Sequence, residues 1–477
     1  MKRWKKLLLL SLCLALLTAG VYGASRLEAE PAAQTGEGGD KLLSFDAEQA
    51  SSLSISGADS LLFEKSGGSW SYTGDESFPL SEGRVTALLT ELADISAEKT
   101  IEEPEALEQY GLAQPLLKIG LSAGESLELH IGNESPVDGF RYVSVGDGKV
   151  YLVSGDIYDT FSLSLLDMAE KEVLPAMDDI LCFTVSSGDK SYELVYLEDS
   201  GLAYSDEYVW FLHDGEDYLA LDTVAADSLV SSVAGLSWGD CVSYRADAAE
   251  LAAWGLAEPA LRVEIDYMES IKTDTGMKAS DGGAIYDERQ QEQSFTLEIG
   301  AYSESGCYAR IAGSQMVYLI DASICDSLIH ASYESLQPDE VLVMDFEEVT
   351  ALDIELSGES YSLRRSSASE AGDDGGDVNI WTLDGRQADI QSSLDQLCLM
   401  IPSSKGGLKT PEGEAELLLV FHRDRESFSR VELAFYRYDS DSCLVSLNGE
   451  ARLLVDRSGV SSVISSLEAG LAQAAES

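Results

Sequence analysis

The sequence predicts an α+β fold, with tandem repeated modules of mixed or antiparallel sheet and short packing helices after one N-terminal transmembrane helix. Three observations predict it. The element Gly-Leu-x-x-Pro occurs three times, as GLAQP, GLAEP and GLKTP. A tryptophan in a strand-like run precedes each copy, at Trp70, Trp210 and Trp381. Between each tryptophan and its glycine lies a stretch with apolar residues at helical spacing, such as RVTALLTELADI. These regularities indicate one module repeated along the chain.

The N-terminus combines the basic segment MKRWKK with an apolar run from Leu7 to Ala24. The run approaches the length that spans a bilayer, so we predict a signal anchor that forms a transmembrane helix within residues 1–26. A cleaved signal peptide is the alternative. Positive charge at this end predicts a single-pass protein of the cell membrane whose C-terminal bulk is extracytoplasmic. Residues 27–42 are interpreted as a flexible linker.

The first module is predicted over residues 43–170. Pro104 suits the first turn of a helix, and Gly111 suits the left-handed position just past its end. Leu107 and Leu112 then have the spacing of the apolar pair that accompanies such an ending. Pro115 prevents the helix from resuming, and the strand-like run LLKIGL follows.

The second module, over residues 171–338, repeats this pattern with Asp247 as a helix N-cap and Gly255 as the terminator. The third, over residues 339–470, is divergent. No helical run precedes its Gly407, although an apolar strand follows. We therefore interpret Gly-Leu-x-x-Pro as a helix terminator that leads into a strand, rather than as a binding loop.

The first two modules resemble the bacterial family catalogued as domain of unknown function 4340. Its members carry a tryptophan strand, a YGL-x-x-P element, a later IG and a YV strand. The corresponding segments are Trp70, YGLAQP, Ile131-Gly132 and Tyr142-Val143, then Trp210, WGLAEP, Ile299-Gly300 and the less faithful CYARI around Tyr308. The similarity spans residues 43–336, whereas the third module departs from the pattern. The resemblance implies anchoring to a membrane outside the cytoplasm, beside ABC-type export or gliding-motility-like transport components, and it supplies no catalytic residue.

The net charge is −54, from 31 basic and 85 acidic residues. This balance argues against nucleic acid as a partner, because phosphate binding depends on basic side chains. It also disfavours anionic lipid, except through a local basic patch such as Arg423, Arg425 and Arg430. We interpret the acidic residues as a solvated surface. Cation binding by EAGDDGGD (370–377) or DGGAIYDE (281–288) is the alternative, although both segments look like insertions and neither has EF-hand spacing.

Candidate residues for chemistry are scarce. The histidines, at positions 130, 213, 330 and 422, lie far apart and form no metal-ligand spacing. We therefore predict no catalytic, cofactor-binding or metal-binding residue, and no cofactor. Six cysteines follow Cys13, at positions 182, 241, 307, 325, 398 and 443. Outside the cytoplasm they would form disulfides or remain buried thiols, and Cys307 and Cys325 are the closest in sequence.

The function expected is that of a non-catalytic accessory or binding subunit. The resemblance implies an association with an ABC-type, gliding-motility-like transport system. Its expected partners are the membrane, through the N-terminal helix, and transporter subunits. A cation- or glycan-binding envelope module is one alternative. A carboxylate-based envelope hydrolase is another, which a compact cluster of acids at a seam between modules would favour. Such seams are also where a binding cleft is expected.

Overall fold

The computed structural model describes residues 41–137, 139–278, 284–369, 377–405, 410–411 and 413–476. These residues form three β-sheets, of eight, nine and nine strands. The chain divides into two compact units, the first ending at Lys171 and the second beginning at Glu172. The first sheet belongs to the first unit, and the other two sheets belong to the second.

The first sheet has the strand order β3-β2-β1-β5-β6-β7-β8-β4. Its strands are β1 (Ala50–Ser56), β2 (Ser60–Ser66), β3 (Ser69–Tyr72), β4 (Lys99–Ile101), β5 (Leu117–Ala123), β6 (Glu125–Glu134), β7 (Phe140–Ser144) and β8 (Val150–Ser154). Helix α1 (Glu82–Asp94) joins β3 to β4, and α2 (Ile157–Phe161) follows β8. The buried side chains of α1 are Val85, Leu88, Leu89 and Leu92. This spacing places one apolar stripe of α1 in the core of the first unit.

The second sheet has the order β12-β11-β10-β9-β14-β15-β16-β17-β13. Its strands are β9 (Asp179–Ser187), β10 (Lys190–Tyr196), β11 (Trp210–Asp214), β12 (Asp217–Ala220), β13 (Cys241–Ser243), β14 (Leu261–Lys278), β15 (Ala284–Ser303), β16 (Gly306–Ile311) and β17 (Val317–Ile320). Its helices are α3 (Thr223–Ala234), α4 (Ala248–Ala253), α5 (Ala322–His330) and α6 (Tyr333–Leu336). A capping box starts α4, with Asp247 and Glu250 each accepting a backbone N–H of the other, so the predicted N-cap is confirmed.

The third sheet has the order β21-β20-β19-β18-β23-β24-β25-β26-β22. Its strands are β18 (Val349–Leu356), β19 (Glu359–Ser369), β20 (Asp377–Leu383), β21 (Arg386–Ala388), β22 (Pro402–Lys405), β23 (Leu417–Arg423), β24 (Arg430–Arg437), β25 (Ser442–Leu447) and β26 (Glu450–Asp456). Its helices are α7 (Gln391–Cys398) and α8 (Arg457–Glu476). The core of this sheet also contains Tyr204 and Tyr208, which precede β11, and Val341 to Val343, which precede β18. The second and third sheets therefore share buried apolar side chains.

One strand order recurs in all three sheets. The second and third sheets follow the same order from edge to edge, and the first differs by having no counterpart of the edge strands β12 and β21 among its described strands. In each sheet the strand that follows the first long helix, which is β4, β13 or β22, lies at the far edge beside the last strand. The three sheets therefore share one topology. The residue boundaries predicted for the modules stay predictions.

The predicted α+β class, with mixed or antiparallel sheets and short packing helices, was wrong. The described part is mostly β-sheet, and every strand pair in the three sheets is antiparallel. One cause is that the stretch from Pro104 to Gly111, predicted as a helix, forms only a 3₁₀ turn over Leu107–Tyr110. Another is that serine-rich strands such as β1 have one half-buried polar face and lack the continuous apolar run by which a buried strand is recognised.

The transmembrane helix predicted within residues 1–26 lies outside the described residues, as does nearly all of the linker. Over the part of the chain that is described, no helix is both long enough and apolar enough to cross a membrane.

The predicted helix terminators are confirmed at two of the three copies. Gly111 and Gly255 have φ values of 71° and 70°. The Leu112 N–H donates to the Leu107 carbonyl at 3.0 Å, and the Leu256 N–H donates to the Leu251 carbonyl at 2.7 Å. These are the backbone bonds of a Schellman ending. The third glycine, at position 407, lies outside the described residues.

The glycine of each IG motif is required by a close backbone approach. A Cβ atom on Gly132 would lie 2.2 Å from the Tyr110 carbonyl oxygen, and one on Gly300 would lie 2.1 Å from the Trp254 carbonyl oxygen. Both carbonyls belong to the residue just before a helix-terminating glycine. The two motifs therefore contact each other through their backbones, and only glycine permits the close approach.

Candidate functional site

Three adjacent strands of the second sheet bring together a cysteine, a glutamate and a histidine. Glu193 on β10 lies between Cys182 on β9 and His213 on β11. The Cys182 thiol donates to Glu193 Oε1 at 3.3 Å, and His213 Nδ1 contacts Glu193 Oε2. Tyr218 stacks on the histidine, with ring centroids 4.8 Å apart. These side chains extend from the face opposite the buried pair Phe183 and Leu194.

The electrostatics of this cluster do not favour a nucleophile. Burial raises the pKa of the Cys182 thiol to about 11, and the hydrogen bond to Glu193 adds to the rise. The hydrogen bond from His213 lowers the pKa of Glu193. The thiol is therefore protonated near neutral pH, whereas a reactive cysteine needs a depressed pKa.

The third sheet holds a similar group of side chains. Asp353 on β18 accepts a hydrogen bond from the Ser362 hydroxyl through Oδ1, and His422 Nε2 lies 2.7 Å from Asp353 Oδ2. In a nucleophilic triad the histidine lies between the nucleophile and the acid, because it must remove the nucleophile's proton. Here, as around Glu193, the carboxylate occupies the middle position. Neither histidine contacts the hydroxyl or the thiol in its group, so the geometry is that of hydrogen-bonded surface clusters.

The other two histidines lie apart from these clusters. His130 Nε2 is 3.5 Å from Glu128 Oε2, and His330 Nδ1 is 2.8 Å from the Asp326 carbonyl oxygen. Folding therefore does not collect the four histidines into one site, and none of them belongs to the group of potential metal ligands found among the described residues.

That group consists of carboxylates. Asp222, Asp339 and Glu340 offer oxygen atoms that all lie within 4.8 Å of one another. Asp222 is also the N-cap of α3, where it accepts the Ala225 N–H at 2.6 Å. The Tyr208 hydroxyl lies 3.5 Å from Glu340 Oε2. Carboxylate oxygens suit Ca²⁺ and Mg²⁺, so these three residues could hold such a cation. The sequence did not reveal the group, because Asp222 is distant in the chain from the other two.

A cleft adjoins two of these acids. Its volume is about 540 Å³, and Asp339, Glu340 and the segment from Cys398 to Ser404 line it. Leu399 and Ile401 of that segment are 68% and 84% exposed. All of these lining residues lie within the predicted third module, so the expected cleft at a seam between modules stays a prediction.

The three arginines considered as a basic patch for contact with anionic lipid do not form one exposed group. Arg423 is buried, donates to the Tyr204 carbonyl and pairs with Glu348. Arg425 lies 2.7 Å from Asp206 and 3.5 Å from Glu348, and Arg430 lies 2.6 Å from Glu432. Each arginine faces a carboxylate of its own chain, so the three cations are neutralised within the fold.

The hairpin β14–β15 is the largest departure from the repeated topology. Its strands have 18 and 20 residues. The equivalent strands have 7 and 10 residues in the first sheet and 7 and 8 in the third. β14 pairs with β9 no further than Met268, and β15 pairs with β16 only from Leu297 onward. We call residues 269–278 and 284–291 the arm, since they pair with each other beyond the rest of the sheet.

All described residues of the arm are exposed. Its apolar side chains include Met277, Ile285 and Tyr286 near the tip, which are 59%, 38% and 57% exposed. Both outer strand edges of the arm carry backbone N–H and C=O groups that no described strand of the sheet pairs. Such edges are templates for pairing with another strand.

Where the structure describes the acidic segments considered as cation sites, their residues form strand and ion pairs. In DGGAIYDE, residues 281–283 lie outside the described residues, and Ala284 to Glu288 form strand. Asp287 pairs with Arg289 at 2.8 Å, and Glu288 lies 3.8 Å from the Lys272 ammonium, so the arm's own cations face these carboxylates. Nearly all of EAGDDGGD lies outside the described residues.

Comparison with known proteins gave one match. The model of a family described as "Domain of unknown function (DUF4340)" matches residues 70–205 and 210–399. The two matched segments begin at Trp70 and Trp210, the tryptophans that open the repeated pattern, and the second continues into the third sheet. No curated protein and no solved structure is significantly similar to the chain.

Proposed function

This chain belongs to the DUF4340 family, and from its structure we propose that it is a non-catalytic binding subunit that docks onto another polypeptide through the arm. The observation that carries the proposal is the extension of β14 and β15 beyond their sheet with both edges unpaired. The other two sheets complete the same topology with short hairpins at this position. The fold therefore does not require the arm.

The arm also adds nothing to the core. Ordering a residue costs on the order of 1–2 kcal/mol of backbone entropy. The arm's side chains are exposed and recover little of this cost by burial. A two-stranded hairpin on its own is marginally stable in water. A ribbon of this kind gains most when a third strand pairs with one of its edges or when its apolar tip is covered.

The chemistry of the arm favours a polypeptide partner. Strand addition uses backbone hydrogen bonds for affinity and alternate side chains for specificity. About ten residues at roughly 3.3 Å each give an edge on the order of 30 Å long, enough for a complete added strand. Met277 and Tyr286 at the tip belong to residue types that are enriched in protein interfaces.

The arrangement of possible nucleophiles supports a non-catalytic role. In the clusters around Glu193 and Asp353 the carboxylate separates the histidine from the thiol or hydroxyl. A role beside an ABC-type, gliding-motility-like transport system stays a proposal that rests on the family resemblance. Location outside the cytoplasm rests on the N-terminal sequence, which lies beyond the described residues.

The test is site-specific photo-crosslinking in cells that make the full chain. A photoreactive amino acid replaces Tyr286 at the arm tip, or Glu125 at the equivalent hairpin of the first sheet as a matched control. We expect a reproducible protein adduct from position 286 and none from position 125, with mass spectrometry identifying the partner. Transporter subunits in the adduct would support the transport role. Equal adducts from both positions, or none from 286, would overturn docking through the arm.

A second candidate function, cation binding at Asp222, Asp339 and Glu340, is favoured by the proximity of their carboxylates. The test is calorimetric titration of the full chain with Ca²⁺ and with Mg²⁺. Asp339→Asn should abolish the binding heat, and Asp345→Asn, at a nearby acid outside the group, should preserve it. No heat from the parent chain would rule this function out.

A further inference from the structure

Two buried cysteines of the second module lie on neighbouring elements. Cys307 lies on β16 and Cys325 on α5, and they are 0% and 1% exposed. Both are free thiols in the structure, and a side-chain hydrogen bond between them lowers the pKa of Cys307 and raises the pKa of Cys325. Cys307 lies opposite Ile320, the last residue of β17, and α5 begins two residues later. The helix therefore folds back directly onto the strand that carries the other thiol.

Other thiols of the chain have different neighbours. Cys182 donates to the Glu193 carboxylate at 3.3 Å, and the Cys443 thiol contacts Glu416 at 3.8 Å. Cys443 is as buried as Cys307 but lies in the third sheet. It provides a matched control for the effects of burial alone.

We propose that Cys307 and Cys325 form a disulfide bond in the mature protein, which ties α5 to β16. Each thiol gives up its hydrogen, and a bond forms between the two sulfur atoms. The two electrons and two protons pass to the disulfide of a thiol oxidant, such as a disulfide-donor protein or oxidised glutathione, which is reduced to thiols. The inference does not depend on the arm, but it rests on the location outside the cytoplasm proposed above, because disulfides persist in oxidising compartments.

The position of the pair determines when the bond forms. Burial raises the pKa of both thiols, and the nearby carboxylate of Asp326 raises them further. Thiol–disulfide exchange proceeds through the thiolate, so it is slow while α5 is packed in place. We therefore expect the bond to form as the module folds, or during local opening of α5, and then to resist reduction in the native state.

The first experiment maps the bond by differential alkylation. The full chain is purified in detergent, unfolded with reductant, and refolded in a mixture of oxidised and reduced glutathione. Free thiols are blocked with iodoacetamide in denaturant, and the remaining thiols are labelled with N-ethylmaleimide after reduction. We expect peptides with Cys307 and Cys325 to carry the maleimide, and peptides with Cys182 and Cys443 to carry the first label. The first label on both Cys307 and Cys325 would overturn the proposal.

The second experiment separates the bond from the effect of substitution. Closing a loop of this length should raise Tm by about 5 °C. We expect the parent chain to show this difference between its oxidised and reduced forms. The Cys307→Ala/Cys325→Ala chain should lose it, and Cys443→Ala should keep it. Equal Tm values for the two forms of the parent would contradict the bond, whether or not the variants fold.

Discussion

At the scale of single residues, glycine does two separate tasks in this fold. Gly255 holds a left-handed conformation at the end of α4, and Gly300 has no positive φ but lies against the Trp254 carbonyl. Gly215 shows the first condition without the second, since its φ is 69° and a Cβ atom there would meet nothing within 4 Å. A comparison of Gly215 with Gly300 therefore distinguishes backbone strain from steric exclusion.

Substituting these glycines by alanine should produce graded losses of stability. Gly215→Ala should cost about 1–2 kcal/mol, the ordinary penalty for a left-handed L-residue. Gly300→Ala should cost about 3 kcal/mol or more, because backbone must move to relieve the contact. Gly255→Ala should cost more than Gly215→Ala, since its Cβ would also lie 3.1 Å from the Ala301 nitrogen. Urea unfolding of each variant measures the order, and equal losses at 215 and 300 would contradict the steric explanation.

The Asp353 cluster predicts a specific dependence of stability on pH. Hydrogen bonds from Ser362 and then His422 lower the pKa of Asp353 from its ordinary value of 3.8. A lowered folded-state pKa stabilises the fold above the unfolded value, and this contribution is lost as pH falls through the folded value. The stability difference between the parent and Asp353→Asn should therefore be full near pH 6 and shrink below about pH 4. Thermal melts from acid to neutral pH measure it, and a difference that stays constant from pH 6 to pH 3 would contradict the prediction.

At the scale of elements, the arm shows how an insertion is accommodated without changing the sheet. β14 and β15 keep the register of the sheet up to Tyr267 opposite Gln293, and they continue it outward. The inner part buries Val263 and Ile265, whereas the outer part buries nothing. Stability and binding should therefore be separable within one hairpin.

Shortening the arm should test that separation. Replacing residues 270–290 with Asn-Gly would join Glu269 to Gln291, which already lie opposite each other. We expect unfolding free energy to change by less than about 1 kcal/mol, because the removed residues are exposed. The adduct with the partner should be lost, as measured by placing the photoreactive residue on the remaining stub. A large loss of stability would mean that the arm packs on the module.

The local features of these elements could be predicted from the sequence, whereas contacts between residues distant in the chain could not. The endings at Gly111 and Gly255 were predictable because helix termination depends on residues within one turn. Asp222 and Asp339 meet only after the end of α6 has packed beside Asp222, whose N–H donates to the Leu336 carbonyl at 2.8 Å, so their spacing in the sequence does not predict the group. The arm was interpreted as an acidic insertion because its alternating polar residues have no buried face to mark them as strand. The partners of Arg423 could not be predicted either, because Glu348 and Tyr204 contact it from distant parts of the chain.

At the scale of the whole molecule, the second compact unit joins two copies of the repeated sheet. The Val343 N–H donates to the Tyr204 hydroxyl at 3.0 Å, and Arg423 bridges the Tyr204 carbonyl and Glu348. The carbonyl belongs to the segment before β11, whereas Arg423 ends β23. A buried cation therefore links the second sheet's connecting loop to the third sheet.

Removing that cation should weaken the unit as a whole. Arg423→Ala leaves the Tyr204 carbonyl without this buried donor and Glu348 with only the more distant Arg425, and we expect a loss of about 2–4 kcal/mol. Arg430→Ala removes an exposed pair on a strand of the same sheet and should cost less than about 1 kcal/mol. Denaturant melts of the full chain compare the two. Losses of equal size would show that Arg423 contributes no more than a surface pair.

The placement of β4, β13 and β22 at the far edges has a consequence for how the chain folds as it is synthesised. Each of these strands can pair only after the final strand of its sheet has been synthesised. Cys241 on β13, for example, pairs with Tyr318 on β17. Contacts between residues so distant in sequence close slowly, because a long loop must be ordered first. A growing chain therefore leaves each sheet unfinished until its last strand has been made. Resistance to protease should accordingly appear in three delayed steps, as β8, β17 and β26 in turn become available for pairing.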